Sequence, residues 1–204
     1  MEITNISIGG YASNTYLVAQ NGAAVLIDCS TDPAWLQQYL QQQGLRLQAV
    51  LLTHGHYDHY MTVHRFKERF DVPFYLHEED ADFPGDGVKN CYHVFHREQA
   101  TFPAADRLVR DGDELLLDTL RVSVLHTPGH TPGSVCYRIG NALFTGDTLF
   151  ACGHGRVTFP GGNAKQMRAS LDRLAQITEE LHIYPGHDQD VSLADALHFN
   201  KYRG

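Results

Sequence analysis

Long hydrophobic runs are missing from this chain. The longest uninterrupted apolar stretch is the five residues Ala23–Ile27, far short of the roughly 20 that a membrane-spanning helix needs. Cysteine is scarce: Cys29, Cys91, Cys136 and Cys152 are the only four, and no two stand in a CxxC spacing. That excludes a thiolate zinc knuckle and a thioredoxin-type pair. Basic charge is in deficit, with 16 Lys and Arg against 24 Asp and Glu and a net charge of -8. Such a surface releases few counterions from a phosphate backbone, so nucleic acid is not the expected partner. The first residues, Met1-Glu2-Ile3-Thr4-Asn5, lack the basic and apolar regions of a secretory signal. With unpaired thiols, this makes a cytoplasmic protein the expectation. Long linkers and low-complexity segments are absent too, so residues 1–204 are expected to form one domain. Histidine alone is abundant, 13 in 204 residues, and it is the first hint of metal chemistry.

Local patterns predict an α/β mixture. Glu2–Ser7, Thr15–Ala19 and Ala24–Asp28 read as strands, the last two joined by the hairpin signal Asn21-Gly22. Asp32-Pro33 opens a helix to about Gln43, with Gly44 as its stop. Leu47–Thr53 is a buried strand, Thr62–Phe70 a helix and Pro73–His77 a short strand. A second half starts near Arg107, giving expected halves 1–106 and 107–204. Its strands are Glu114–Leu117, Leu120–Thr127, Ser134–Ile139, Ala142–Thr145 and His182–Tyr184. Its helices are Ala164–Ile177, with Met167, Leu171, Leu174 and Ile177 at helical spacing, and Ser192–Phe199. Two sheets packed together with helices outside would bury these faces.

The strand ending at Thr53 runs straight into His54-Gly55-His56-Tyr57-Asp58-His59, an HxHxDH pattern. A loop leaving a strand end turns His54 and His56 to one side and brings Asp58 and His59 to a point a few ångströms away. Two adjacent ligand clusters result. Three further segments repeat one logic, a metal-binding residue type just past a strand end beside glycine. They are Thr127-Pro128-Gly129-His130-Thr131-Pro132-Gly133-Ser134, Phe144-Thr145-Gly146-Asp147-Thr148 and Tyr184-Pro185-Gly186-His187. Imidazole and carboxylate suit zinc, iron and manganese. A donor set without thiolate points to a catalytic rather than a closed structural site.

HxHxDH, then GHTPGS, GDTLF and PGH, in that order, resemble the metallo-β-lactamase-fold hydrolases. Gly146–Phe150, Gly155-Arg156 and Pro160-Gly161-Gly162 are most similar to the glyoxalase II (hydroxyacylglutathione hydrolase) branch. The resemblance implies a four-layer αββα sandwich of two similar halves, with metals at one edge between the sheets. It implies that His54, His56 and His130 hold one metal, that Asp58, His59 and His187 hold the other, and that Asp147 bridges them. The expected cofactors are two divalent ions, zinc by default, with iron or manganese as alternatives. Asp28 would orient a metal ligand by a hydrogen bond, or serve as an ordinary strand-to-turn corner. Arg156 matches a basic residue that contacts the glutathione part of the substrate. Tyr57 is a lid over the metals or a packing residue. The other eight histidines, His77, His93, His96 and His154 among them, carry no motif.

Three departures stand out. Tyr60-Met61-Thr62 replaces the usual Ile-Gly-Gly after HxHxDH, His154 stands where the family has Cys or Gly, and the chain ends 17 residues after His187. The expectation is therefore thioester hydrolysis without the helical glutathione-holding domain of glyoxalase II. A hydroxide bridging the metals would be the nucleophile, with Asp58 orienting it. A thiolate leaves without a general acid, its free pKa being about 8.5. Alternatives in the same fold are a mononuclear iron persulfide dioxygenase, which would use His54, His130 and Asp147, and a lactonase or β-lactamase. The non-enzyme alternative is a metal-binding domain with a vestigial site, against which all seven filled ligand positions speak. The expected partner is a small-molecule substrate, neither nucleic acid nor membrane; nothing in the sequence reports an oligomeric state.

Overall fold

The computed structural model of the chain describes residues 1–201, so the expected span of 1–204 runs past the described residues. Twelve strands form two six-stranded sheets among these residues. The first sheet holds β1 (Glu2–Asn5), β2 (Tyr16–Gln20), β3 (Ala23–Ile27), β4 (Arg46–Leu51), β5 (Phe74–His77) and β6 (Arg107–Val109), side by side in chain order. Its first three strands are antiparallel and the rest run parallel to β3. The second sheet holds β7 (Glu114–Leu117), β8 (Leu120–His126), β9 (Val135–Ile139), β10 (Ala142–Gly146), β11 (His182–Pro185) and β12 (Val191–Ser192). It is antiparallel except where β10 and β11 run parallel.

Strand alternation divides the core into three layers of contact. Val18, Val25, Ile27 and Leu51 point between the sheets and meet Val122, Val124, Tyr137 and Phe144. Leu17, Leu26 and Val50 point the other way, under α1 (Pro33–Gln43) and α2 (Val63–Lys67). Cys136, Leu143 and Ile183 pack under α4 (Ala164–Leu174) and α5 (Leu193–Lys201). Every side chain of β3 is buried because the strand is covered on both faces, which is why Ala23–Ile27 reads as a continuous apolar run rather than an alternation. The result is the expected αββα sandwich. Both long helices have side-chain caps: Asp32 accepts from the Ala34 N–H, and Asn163 from those of Lys165 and Gln166.

The structure moves several expected boundaries. Arg107–Val109 does not open the second sheet. It pairs with β5 as the edge of the first, so the division after residue 106 shifts to follow β6. The helix after HxHxDH is one turn and a half rather than the full Thr62–Phe70, and α4 stops at Leu174, where the chain tightens into i+3 hydrogen bonds at Gln176 and Ile177. Between β5 and β6 lies irregular chain carrying one short helix, α3 (Tyr92–Phe95), which no pattern in the sequence announces. No helix is long and apolar enough to cross a membrane among the described residues.

Candidate metal centre

The centre lies at the ends of β4, β8, β10 and β11. After β4, the segment Tyr57–His59 makes a single 3₁₀ turn. That turn folds His54, His56, Asp58 and His59 back on one another, all four buried. His130 comes from the turn after β8, Asp147 from the residue after β10, and His187 from the turn after β11. The donor atoms gather into three groups, each within 4.8 Å of one another: His54, His56 and His130; His54, His59 and Asp147; Asp58, His59 and His187. Asp147 sits between the outer two, with one oxygen 3.4 Å from His130 Nε2 and the other 3.3 Å from His59 Nε2 and 3.8 Å from His187 Nε2.

The imidazoles are held from behind. His130 Nδ1 is 2.7 Å from the Arg156 carbonyl, so it donates there and turns Nε2 inward. His59 Nδ1 is 2.8 Å from Asp28 Oδ2, and Asp28 also accepts from the backbone N–H and hydroxyl of Thr53. His54 Nδ1 meets the Thr53 hydroxyl at 3.2 Å. His56 is turned the other way, with Nδ1 2.8 Å from His130 Nε2. Carboxylate or carbonyl behind imidazole is the arrangement that fixes a metal-binding tautomer.

Four buried side-chain atoms here find no hydrogen-bond partner among the described residues: His54 Nε2, His56 Nε2, His59 Nε2 and Asp147 Oδ1. A buried polar atom left unpaired costs about 1–3 kcal/mol. Their concentration in one place fits a bound cation, and nitrogen with carboxylate oxygen is a donor set for a divalent transition metal. The protonation states agree. Burial holds His54, His56 and His130 below the usual histidine range, and the neighbouring imidazoles push His54 and His56 further down. They are neutral donors at neutral pH. Burial opposes charge on His59, but Asp28, Asp147 and Asp58 outweigh it and raise its pKa well above normal. Burial likewise opposes charge on His187, and Asp58 and Asp147 overcome it. Burial would raise the Asp147 carboxyl, yet His59, His130 and His187 hold it well below the carboxylate range.

Residues 8–187 match the metallo-beta-lactamase superfamily. The chain belongs to it. A hydroxyacylglutathione hydrolase from Nitrosomonas europaea is 32% identical over 89% of this chain and 62% of that protein. Among solved structures, the BLEG-1 B3 metallo-beta-lactamase superposes with a TM-score of 0.90 at 30% identity, covering 98% of this chain and 99% of the other. TTHA1623 in a di-iron-bound form superposes with a TM-score of 0.85 at 33% identity, covering 98% and 99%.

All seven residues singled out in the sequence of this superfamily member meet in the centre, and Asp28 touches His59. Arg156 contributes in a way its side chain does not suggest. Its backbone carbonyl positions His130, while its guanidinium lies exposed over the Phe159 ring, 5.7 Å from the centroid. Both residues line a cavity of about 500 Å³ above the centre. One wall of the cavity is Tyr11, Val94 and Phe95, with Tyr11 stacked on Phe95 at 4.7 Å. Phe150, His154, Arg156 and Phe159 line it as well. His154 therefore belongs to the site, although its place in the ACGHG segment gave no signal beyond its departure from the family pattern. Tyr57 does not line the cavity; it packs among Tyr92, Phe95 and Phe102. Tyr60, at the first position of the departure from Ile-Gly-Gly, is fully buried and donates its hydroxyl to the Gly55 carbonyl.

Proposed function

We propose that the chain is a dinuclear metal-dependent hydrolase of thioesters. The observation that supports this most is the joining of two donor groups through His54, His59 and Asp147, which leaves room for two neighbouring ions rather than one. His54, His56 and His130 would hold one, Asp58, His59 and His187 the other, and Asp147 would reach both. Bound divalent ions supply a Lewis acid for a carbonyl oxygen and a nucleophile from water at neutral pH. Two carboxylates against two divalent charges leave the site positive by formal count, which favours an electron-rich carbonyl. Zinc is the default metal; the di-iron form of TTHA1623 keeps iron as the alternative.

The cavity walls orient the substrate. The uncharged wall of Tyr11, Val94 and Phe95 suits the acyl group, and the wall carrying Arg156 and His154 suits a polar or anionic thiol portion. Asp58 stays fixed because its backbone carbonyl accepts from the Ser13 N–H and the Ser30 hydroxyl. No lysine or glutamate lines the cavity among the described residues. A thiol leaving group fits this, since with a pKa of about 8.5 it departs as thiolate without a protein acid.

The test is a substrate panel of thioesters, lactones, β-lactams and persulfides, run on zinc-loaded and iron-loaded protein with and without oxygen. Thioester hydrolysis by the zinc form under anaerobic conditions is the expected result. Activity confined to iron, oxygen and a persulfide would replace hydrolase by dioxygenase.

A further inference from the structure

We propose that Asp80, which touches neither the cavity nor a candidate ligand, is a positioning residue that sets the geometry of the three-histidine group. The inference rests on the dinuclear reading above. Asp80 closes the short 3₁₀ turn Glu78–Asp80 after β5 and has no exposed surface. Its carboxylate accepts three hydrogen bonds. The Gly55 N–H donates at 2.9 Å, the Gly133 N–H at 2.7 Å and the Thr131 hydroxyl at 2.7 Å. Gly55 lies between His54 and His56, and Thr131 follows His130. One buried acid thus binds the backbone N–H between His54 and His56, the side-chain hydroxyl next to His130 and a backbone N–H three residues past it, joining a loop of the first sheet to a loop of the second.

The approach depends on glycine. A Cβ on Gly133 would stand 2.6 Å from Asp80 Cγ. The other face of the Gly55 unit is held as well, since its carbonyl accepts from Tyr60. The second donor group uses a different acid in a different way, for Asp28 grips the His59 ring directly. Two buried carboxylates therefore divide the centre: Asp28 orients the His59 imidazole, and Asp80 fixes the peptide between His54 and His56 and the turn that carries His130. Charged acceptors of backbone N–H bonds are among the stronger hydrogen-bonding partners a protein has. Outer partners of metal ligands typically control affinity by 10–100-fold.

The test measures metal binding, not turnover. Chelated wild type, Asp80→Asn and Thr131→Val are titrated with cobalt(II), read by visible absorption and equilibrium dialysis. The same substitutions are repeated in two backgrounds. His187→Ala cripples the second donor group, and His130→Ala cripples the first. The expected result is that Asp80→Asn weakens binding about 10–100-fold in wild type at one of two steps and in the His187→Ala background, but leaves the His130→Ala background unchanged. Thr131→Val, which keeps the side chain's shape but removes its hydroxyl contacts to Asp80 and Ser134, moves affinity the same way by about 2–10-fold and decides the matter if Asp80→Asn does not fold. Wild-type affinities in both variants, or equal losses in both backgrounds, would overturn the proposal. A wild type that binds no cobalt would overturn the metal centre itself, which is a separate result.

Discussion

The two sheets contribute to the centre on different plans. The first places four candidate ligands within the six residues 54–59, on one loop tightened by a 3₁₀ turn. The second places three, His130, Asp147 and His187, on three separate loops that meet only because β8, β10 and β11 end at the same edge. In the first plan local chain geometry makes the site; in the second, sheet register does. The first is also gripped more thoroughly. His59 has no exposed side-chain surface, whereas His187 keeps 34%. A change at residues 54–59 therefore reaches both donor groups and the fold, while a change in a loop of the second sheet removes one donor.

Metal removal gives the largest effect and tests whether either plan needs the ions to fold. The three apolar layers lie outside the centre, so chelation should leave the circular dichroism spectrum intact while activity falls at least about a thousandfold. Loss of the folded spectrum would mean that the ions are structural. The comparison sharpens in the pair His59→Ala and His187→Ala. Each should cut thioester hydrolysis by at least about a hundredfold. Only His59→Ala should also destabilise the chelated protein in urea, by about 1–3 kcal/mol, because Asp28 loses its imidazole partner in the interior. Equal stabilities would erase the distinction between the two plans.

A contact away from the centre also joins the halves and predicts a pH effect. His77 of β5 stacks on His126 of β8 with ring centroids 4.0 Å apart. Burial, and then His126, push its pKa down to about 4, against the pull of Glu78, Asp111 and Asp113. The folded state therefore keeps His77 neutral while the unfolded chain protonates near 6.5. The stability this gives is complete above about pH 6.5 and is lost as pH falls toward 4. Chelated wild type should lose about 1–3 kcal/mol across that window after solvent screening, and His77→Gln should flatten this part of the urea-denaturation profile. The smallest effect concerns Arg156. Replacing it with Ala should raise KM for an anionic thioester up to about fivefold, the scale of an exposed ion pair. kcat should stay unchanged, because the backbone carbonyl at 156 still receives the His130 N–H.

What the sequence revealed follows the same division. HxHxDH was legible because four ligands on one loop leave a pattern of spacing, and the apolar run before it places the loop at a strand end. His130, Asp147 and His187 were legible more weakly, as ligand types past strand ends beside glycine, and only the resemblance gave each its role, since a lone polar residue beside glycine looks like any turn. The carbonyl of Arg156 was invisible because every residue carries one. Asp80 was hidden in His77-Glu78-Glu79-Asp80-Ala81-Asp82, where its neighbours Glu78 and Glu79 are exposed and Asp82 is paired with Lys89. Composition cannot say which of those acids turns inward. The short α3 and the edge strand β6 escaped for a related reason. Both are fixed by tertiary contacts, α3 by the aromatic cluster around Tyr57 and β6 by pairing with β5, and neither has a periodic pattern of its own.

Gly146 ends β10 with a positive φ of 48°, and a Cβ there would stand 2.6 Å from the Thr53 hydroxyl. That hydroxyl bonds Asp28 and touches both His54 and His59. At this point the two sheets meet across the width of a glycine against one threonine, and the gap acts as a spacing gauge. A change between the sheets that thickens the interior, such as an enlarged Val124 or Ala49, should be felt at this contact. Catalytic output should therefore respond to inter-sheet volume sooner than melting temperature does, which makes turnover the more sensitive meter of how this core is filled.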